Sequence, residues 1–172
     1  MGRFFSLVQI KNNGSREQFL KAFCDVMKKR SLVPCSEKES SVSYILAFSE
    51  SGKWVTLASK EYRDNPKQVK DDAKQTAAEM KTSSFSMDVV DSDWTYIELH
   101  TGADVHDTVM VGRSEFDEEH SPKGRRECWE PILAPGKTWE QISEIWNKNE
   151  VFVEDALYEA ASVLGIEPKY MV

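Results

Sequence analysis

The three histidines are the only metal candidates in the sequence. His100, His106 and His120 fall in one short stretch with Asp104, Asp107, Glu118 and Glu119. Imidazole and carboxylate together are the ligands of mixed zinc sites. Yet the spacing fits neither a helical pair nor a finger, and His100 and His106 flank a predicted turn. They read as solvated turn residues, and no metal is expected.

The cysteines are Cys24, Cys35 and Cys128. They make no C-x-x-C pair, and an odd count leaves one thiol over in any disulfide scheme. Reduced thiols suit a cytoplasmic chain. Cys24 lies on or beside an apolar helix stripe. Cys128 follows Arg125, Arg126 and Glu127, and the two cations would favour a thiolate. A nucleophilic thiol also needs a partner base, and none can be assigned. Pro135-Gly136-Lys137-Thr138 ends like a phosphate-binding loop, but Pro131 stands where that motif needs its first glycine. No G-x-G-x-x-G, G-x-S-x-G or H-E-x-x-H is present. No catalytic residue or cofactor is therefore assigned, and an enzyme is the less favoured reading.

Charge is the most distinctive feature. The 172 residues carry a net −7. Residues 91–120 hold nine acids against one base, Arg113, a local −8 that leaves the rest of the chain at +1. Nucleic-acid binding needs basic surface and is not expected. Acidic residues on a strand edge and loop can simply discourage edge pairing. The sharper reading is a surface steering a basic protein partner, formed by Asp104, Asp107, Asp117, Glu118 and Glu119.

The elements that must position these residues follow from apolar periodicity. Arg3–Lys11 reads as a strand with both faces partly apolar, which suits a central position. Asn13-Gly14 turns the chain. Ser15 and Gln18 form a capping box for a helix whose stripe is Phe19, Leu20, Phe23, Val26 and Met27. Residues 41–59 are two apolar runs around Glu50-Ser51-Gly52-Lys53, a β-hairpin signature. This hairpin is expected in the middle of the sheet, with Leu46 and Phe48 buried. Asn65-Pro66 starts a second helix with small inner residues at Ala73 and Ala77. Strands follow around Phe85–Val89, Trp94–His100 and Asp107–Val111. Glu115–Arg126 has no apolar period and reads as an exposed loop. Thr138 with Gln141 caps a helix carrying Ile142, Ile145 and Trp146. A last helix ends at Gly165.

The predicted class is α+β, an antiparallel sheet in β-α-β-β-α-β, ferredoxin-like order. Two further strands and a C-terminal helical hairpin extend it. Residues 1–126 would form the α+β domain. Residues 127–172 would form a Trp-rich hairpin packed on it. No run approaches the ~20 apolar residues of a membrane span, and the N-terminus lacks a secretory pattern.

The functional expectation is a non-enzymatic cytoplasmic protein-binding domain. Its sharpest form is a neutralising, immunity-type inhibitor of a basic effector. The alternative is a small-molecule-binding domain or small enzyme with a pocket between sheet and C-terminal helices. Self-association would run through those helices.

Overall fold

The computed structural model describes residues 4–33, 39, 44–102, 104–112, 123–148 and 152–171; the side chains of Asp104 and Val105 lie outside that description. The chain is a mixed α and β protein built on a six-stranded antiparallel sheet. The strands are β1 (Phe5–Lys11), β2 (Tyr44–Phe48), β3 (Trp54–Ser59), β4 (Ser83–Val90), β5 (Trp94–Thr101) and β6 (Asp104–Gly112). Across the sheet the order is β2-β3-β1-β4-β5-β6. The helices are α1 (Arg16–Lys29), α2 (Glu61–Asp64), α3 (Pro66–Met80), α4 (Arg126–Trp129), α5 (Trp139–Trp146) and α6 (Val153–Leu164). No described helix is long and apolar enough to cross a membrane.

Local signals act where the sequence places them. At α1 the Ser15 hydroxyl accepts from the Gln18 amide, and the Gln18 side chain accepts from the Ser15 amide. Thr138 and Gln141 repeat that box at α5. Gly165 closes α6 at φ +76, a left-handed conformation that glycine enters without steric cost. Pro66 opens α3, where its missing N–H costs nothing.

Alternation then divides the strands between two cores. Val8 and Ile10 of β1, with Val55 and Leu57 of β3, face α1 and α3. Phe19, Phe23, Val26 and Met27 meet them from α1, and Val69 and Ala73 from α3. On the opposite face Leu7, Trp54, Phe85, Met87, Val89, Ile97, Leu99, Val109 and Val111 meet the C-terminal helices. An aromatic path crosses that second core. Trp54 meets Phe85 at 5.6 Å between centroids, Phe85 meets Trp129 at 5.9 Å, and Trp129 meets Trp146 at 4.5 Å. The Trp54 indole also donates to the Leu164 carbonyl at 2.9 Å. The C-terminal segment thus shares one core with the sheet. The 126/127 boundary falls inside α4.

Three expectations change. The hairpin is not central: β2 is the terminal strand and the middle pair is β1–β4. One face of β2 is apolar because α1 covers it, and the other carries the exposed Ile45, so composition alone mimics a central strand. Leu46 and Phe48 are accordingly half-buried rather than buried. Finally, β6 begins at Asp104, and Lys123 bridges to Val109, so the end of the predicted loop is tied to the sheet; residues 113–122 lie outside the described residues.

Candidate functional site

Among the described residues no strand pairs with the outer side of β2, which is the most exposed apolar strand of the sheet. Its register with β3 sets Ile45 opposite Ala58, Leu46 opposite Leu57 and Ala47 opposite Thr56. The Ser49 amide donates to the Trp54 carbonyl at 2.9 Å. In an antiparallel pair, hydrogen-bonded residues alternate with non-bonded ones. Ala47 and Ile45 therefore bond to β3 in phase with Ser49. Tyr44, Leu46 and Phe48 then point their N–H and C=O groups away from the sheet. That row of three donors and three acceptors is a template for another strand.

The side chains on this edge are uncharged: Tyr-Ile-Leu-Ala-Phe. Strand edges are commonly blunted by lysine, proline or a bulge, and β2 has none of these. Ile45, on the face away from α1, is 64% exposed. Tyr44, Leu46 and Phe48 lie under α1, where Phe19 meets Phe48 at 5.4 Å and Phe23 meets Tyr44 at 6.3 Å. Arg16 caps the Phe48 ring, its Cζ 4.8 Å from the centroid. Lys29 pairs with Glu79 and so marks the flank of α1 that faces α3. Helical spacing places Leu20 and Cys24, both half-buried, on the other flank, toward β2.

A buried network holds α1 against this strand. The Asp72 side chain, fully buried, accepts from the Tyr62 hydroxyl at 2.7 Å and from Gln68 Nε2 at 2.7 Å, and it pairs with Arg30. Tyr44 stacks edge-on against Tyr62 at 6.2 Å. Burial pushes the Tyr44 hydroxyl up to about 12; the Asp72 carboxylate adds to the rise and Arg30 opposes it. Tyr62 is raised further, again by burial first and Asp72 second. These phenols stay neutral donors, which is the state Asp72 needs. Nothing in the chain's motifs marks Asp72, but its place on α3 does: positions 69, 72, 73, 76 and 77 share the inner face, so an acid at 72 must find buried partners.

The acidic residues are distributed differently from their sequence. Asp107 does not face outward. Its side chain is 8% exposed and accepts from the Arg125 amide at 2.7 Å, from Arg125 Nε at 3.1 Å and from the Trp129 indole at 2.8 Å. It pins the start of α4 to β6 and is removed from the partner-facing set. Glu98 is also engaged, paired with Lys70. Asp91 and Asp93 are exposed. The side chain of Asp104, and Asp117, Glu118 and Glu119, lie outside the described residues.

The two described histidines sit in different surroundings. His100 is 1% exposed, and among the described residues neither ring nitrogen has a hydrogen-bond partner. Its Nε2 lies 3.8 Å from Glu98 Oε2, beyond hydrogen-bond reach. Burial lowers its pKa, Glu98 opposes that, and Lys74 and Lys70 add to it. Reading His100 as a solvated turn residue is thus corrected: it sits inside β5. His106 is exposed on β6, and His120 lies outside the described residues. Among the described residues no three His, Cys, Asp or Glu side chains gather as a metal site. Cys128 is buried, and burial raises its pKa despite Arg125, the reverse of an activated thiol. The tryptophan-centred core lies between the sheet and the C-terminal helices.

Compared with family models, curated proteins and solved structures, the chain matches none of them.

Proposed function

We propose that this chain is a protein-binding domain whose interaction element is the open edge of β2. The observation that carries the reading is the outward row of backbone donors and acceptors at Tyr44, Leu46 and Phe48, on a strand with no charge to repel another. Strand addition takes affinity from main-chain hydrogen bonds and specificity from alternate side chains. The order β2-β3-β1-β4, with α1 and α3 against one face, supports reading the first four strands as a ferredoxin-like arrangement extended by β5 and β6.

An immunity-type inhibitor of a basic effector in the cytoplasm is the specific form that the charge favours. A net −7 attracts cationic partners at long range, while the edge supplies short-range contact. Cys24 and Cys128 are free thiols, which suits a reducing compartment.

The test is photo-cross-linking in the host cell from a benzophenone side chain at position 45, with position 158 as an exposed control. A protein adduct formed at 45, absent at 158 and lost on Leu46→Pro supports strand addition. Equal adducts at both positions, or adducts indifferent to Leu46→Pro, refute it.

A further inference from the structure

The sheet face covered by α1 and α3 is apolar on β1 and β3 but polar on β5. Alternation puts Tyr96, Glu98 and His100 of β5 on it, opposite Asp88, Ser86 and Ser84 of β4. None of these β5 residues belongs to the apolar core that α3 forms with β1 and β3. The helix reaches β5 through charge instead. Lys70 pairs with Glu98, and its Nζ lies 4.7 Å from the centroid of the Tyr96 ring. His100 sits beside that pair, 1% exposed, its Nε2 3.8 Å from Glu98 Oε2.

We infer that His100 is the trigger of an acid-sensitive latch between β5 and α3: a proton on its ring drives the Lys70–Lys74 flank of the helix off the strand. The latch does not depend on the reading of β2.

The charge balance sets the direction. On this flank α3 carries Lys70 and Lys74, one turn apart. On β5 the charged neighbour is Glu98. From β4 the residue opposite His100 is Ser84, whose hydroxyl donates to the Ala73 carbonyl at 2.5 Å, while Asp88 lies two rows away and holds the Ser6 hydroxyl. On β6 Val105 stands opposite His100 and His106 is exposed; the side chains of Asp104 and Val105 lie outside the described residues. Among the described residues the neutral site therefore sets two cations against one carboxylate. Protonation makes that three against one, on a ring that water hardly reaches. Glu98 cannot restore the balance where it stands, because one oxygen holds Lys70 and the other is beyond hydrogen-bond reach of the imidazole.

Opening the seam relieves this. A hydrated ring takes its proton at the ordinary value of about 6.5. In the closed seam burial resists the proton first; Glu98 favours it, and Lys74 and Lys70 oppose it. The open state thus binds the proton more tightly and gains population as pH falls. The closed latch keeps its full stability above about pH 6.5, and below that the opening equilibrium rises by at most about tenfold per pH unit, the limit for one proton. The seam is the place to yield, because a partly exposed lysine–carboxylate pair holds it weakly.

The experiment is an NMR titration of the full chain from about pH 7.5 to about pH 4, which spans the ordinary histidine and glutamate ranges. Two signals are read. The His100 ring carbons report its proton. The Lys70 ε-methylene protons report closure, because the Tyr96 ring beneath them holds them upfield. The His100 ring should titrate below about 6.5, and the Lys70 upfield shift should collapse over the same range. Lys74→Met removes one repelling cation at an exposed site and should move both midpoints up together. His100→Leu should keep the Lys70 shift until carboxylates protonate, near about pH 4.3. If His100→Leu does not fold, Lys74→Met decides. A Lys70 shift that persists while wild-type His100 protonates overturns the inference. So does a collapse at the same pH in His100→Leu, or a His100 midpoint unmoved by Lys74→Met.

Discussion

Replacing Asp107 by alanine separates an acid that serves a partner from one that serves the fold. Its carboxylate holds three donors: the Arg125 amide, Arg125 Nε and the Trp129 indole. Trp129 is fully buried between Phe85 and Trp146, so its N–H cannot turn to water when the acceptor goes. A buried donor left unpaired costs about 1–3 kcal/mol. The Arg125 side chain is 58% exposed and rehydrates, so its ion pair adds little. Losing the indole bond and the backbone bond together should cost about 2–4 kcal/mol. With a urea m-value of about 2 kcal/mol/M, the middle of the usual range, the midpoint should fall by roughly 1–2 M. Asp107→Asn keeps an acceptor oxygen and should recover part of the loss. The assay is urea unfolding followed by tryptophan fluorescence, repeated at high salt. An exposed acid would shift stability by no more than about 0.5 kcal/mol. A loss that small for Asp107→Ala would refute the anchoring role and return Asp107 to the partner-facing surface.

Other expectations follow from the same geometry. Asp72→Ala strands the Tyr62 hydroxyl and the Arg30 guanidinium and should cost about 3–5 kcal/mol in denaturant melts; Asp72→Asn should cost less. Tyr44 titrates higher folded than unfolded, so its contribution is complete below about pH 10 and is lost as pH rises through its folded value of about 12. Alkaline melts should show that slope, and Tyr44→Phe should reduce it, the buried Tyr62 keeping its own share. The buried His100 has the opposite sense: its lowered pKa keeps stability above about pH 6.5 and loses it as pH falls. His100→Leu should remove that acid slope and leave stability at pH 7 equal or higher, because two unpartnered nitrogens disappear; a large loss at pH 7 would mean the ring has partners in solution. At Gly124, φ +80, an added Cβ would lie 2.8 Å from Val109 Cγ2 and 3.2 Å from Trp146 Cζ3. Gly124→Ala should therefore cost about 1–3 kcal/mol, read as a lower thermal midpoint.

What the sequence determined by itself is local. Ser15 with Gln18, Thr138 with Gln141, Pro66 and Gly165 mark helix ends because capping is settled within one turn of backbone. Alternation at Phe85, Met87 and Val89 identified a buried strand face because side-chain direction in a strand repeats every two residues. The α+β class follows from those local signals in order. Tertiary structure decided what depends on neighbours distant in the chain. Whether Tyr44–Phe48 is central or terminal turns on where β3 and β1 pair, and a covering helix gives an edge strand the composition of a middle one. Asp107 and Asp117 look alike in a charge count, yet a carboxylate's role depends on the donors that reach it, and those of Asp107 come from Arg125 and Trp129. His100 reads as a turn residue until β5 extends through it and α3 brings Lys70 and Lys74 nearby. The open edge at Leu46 was the least legible of all, because a free backbone group is defined by the strand that does not pair with it, and no residue type records that.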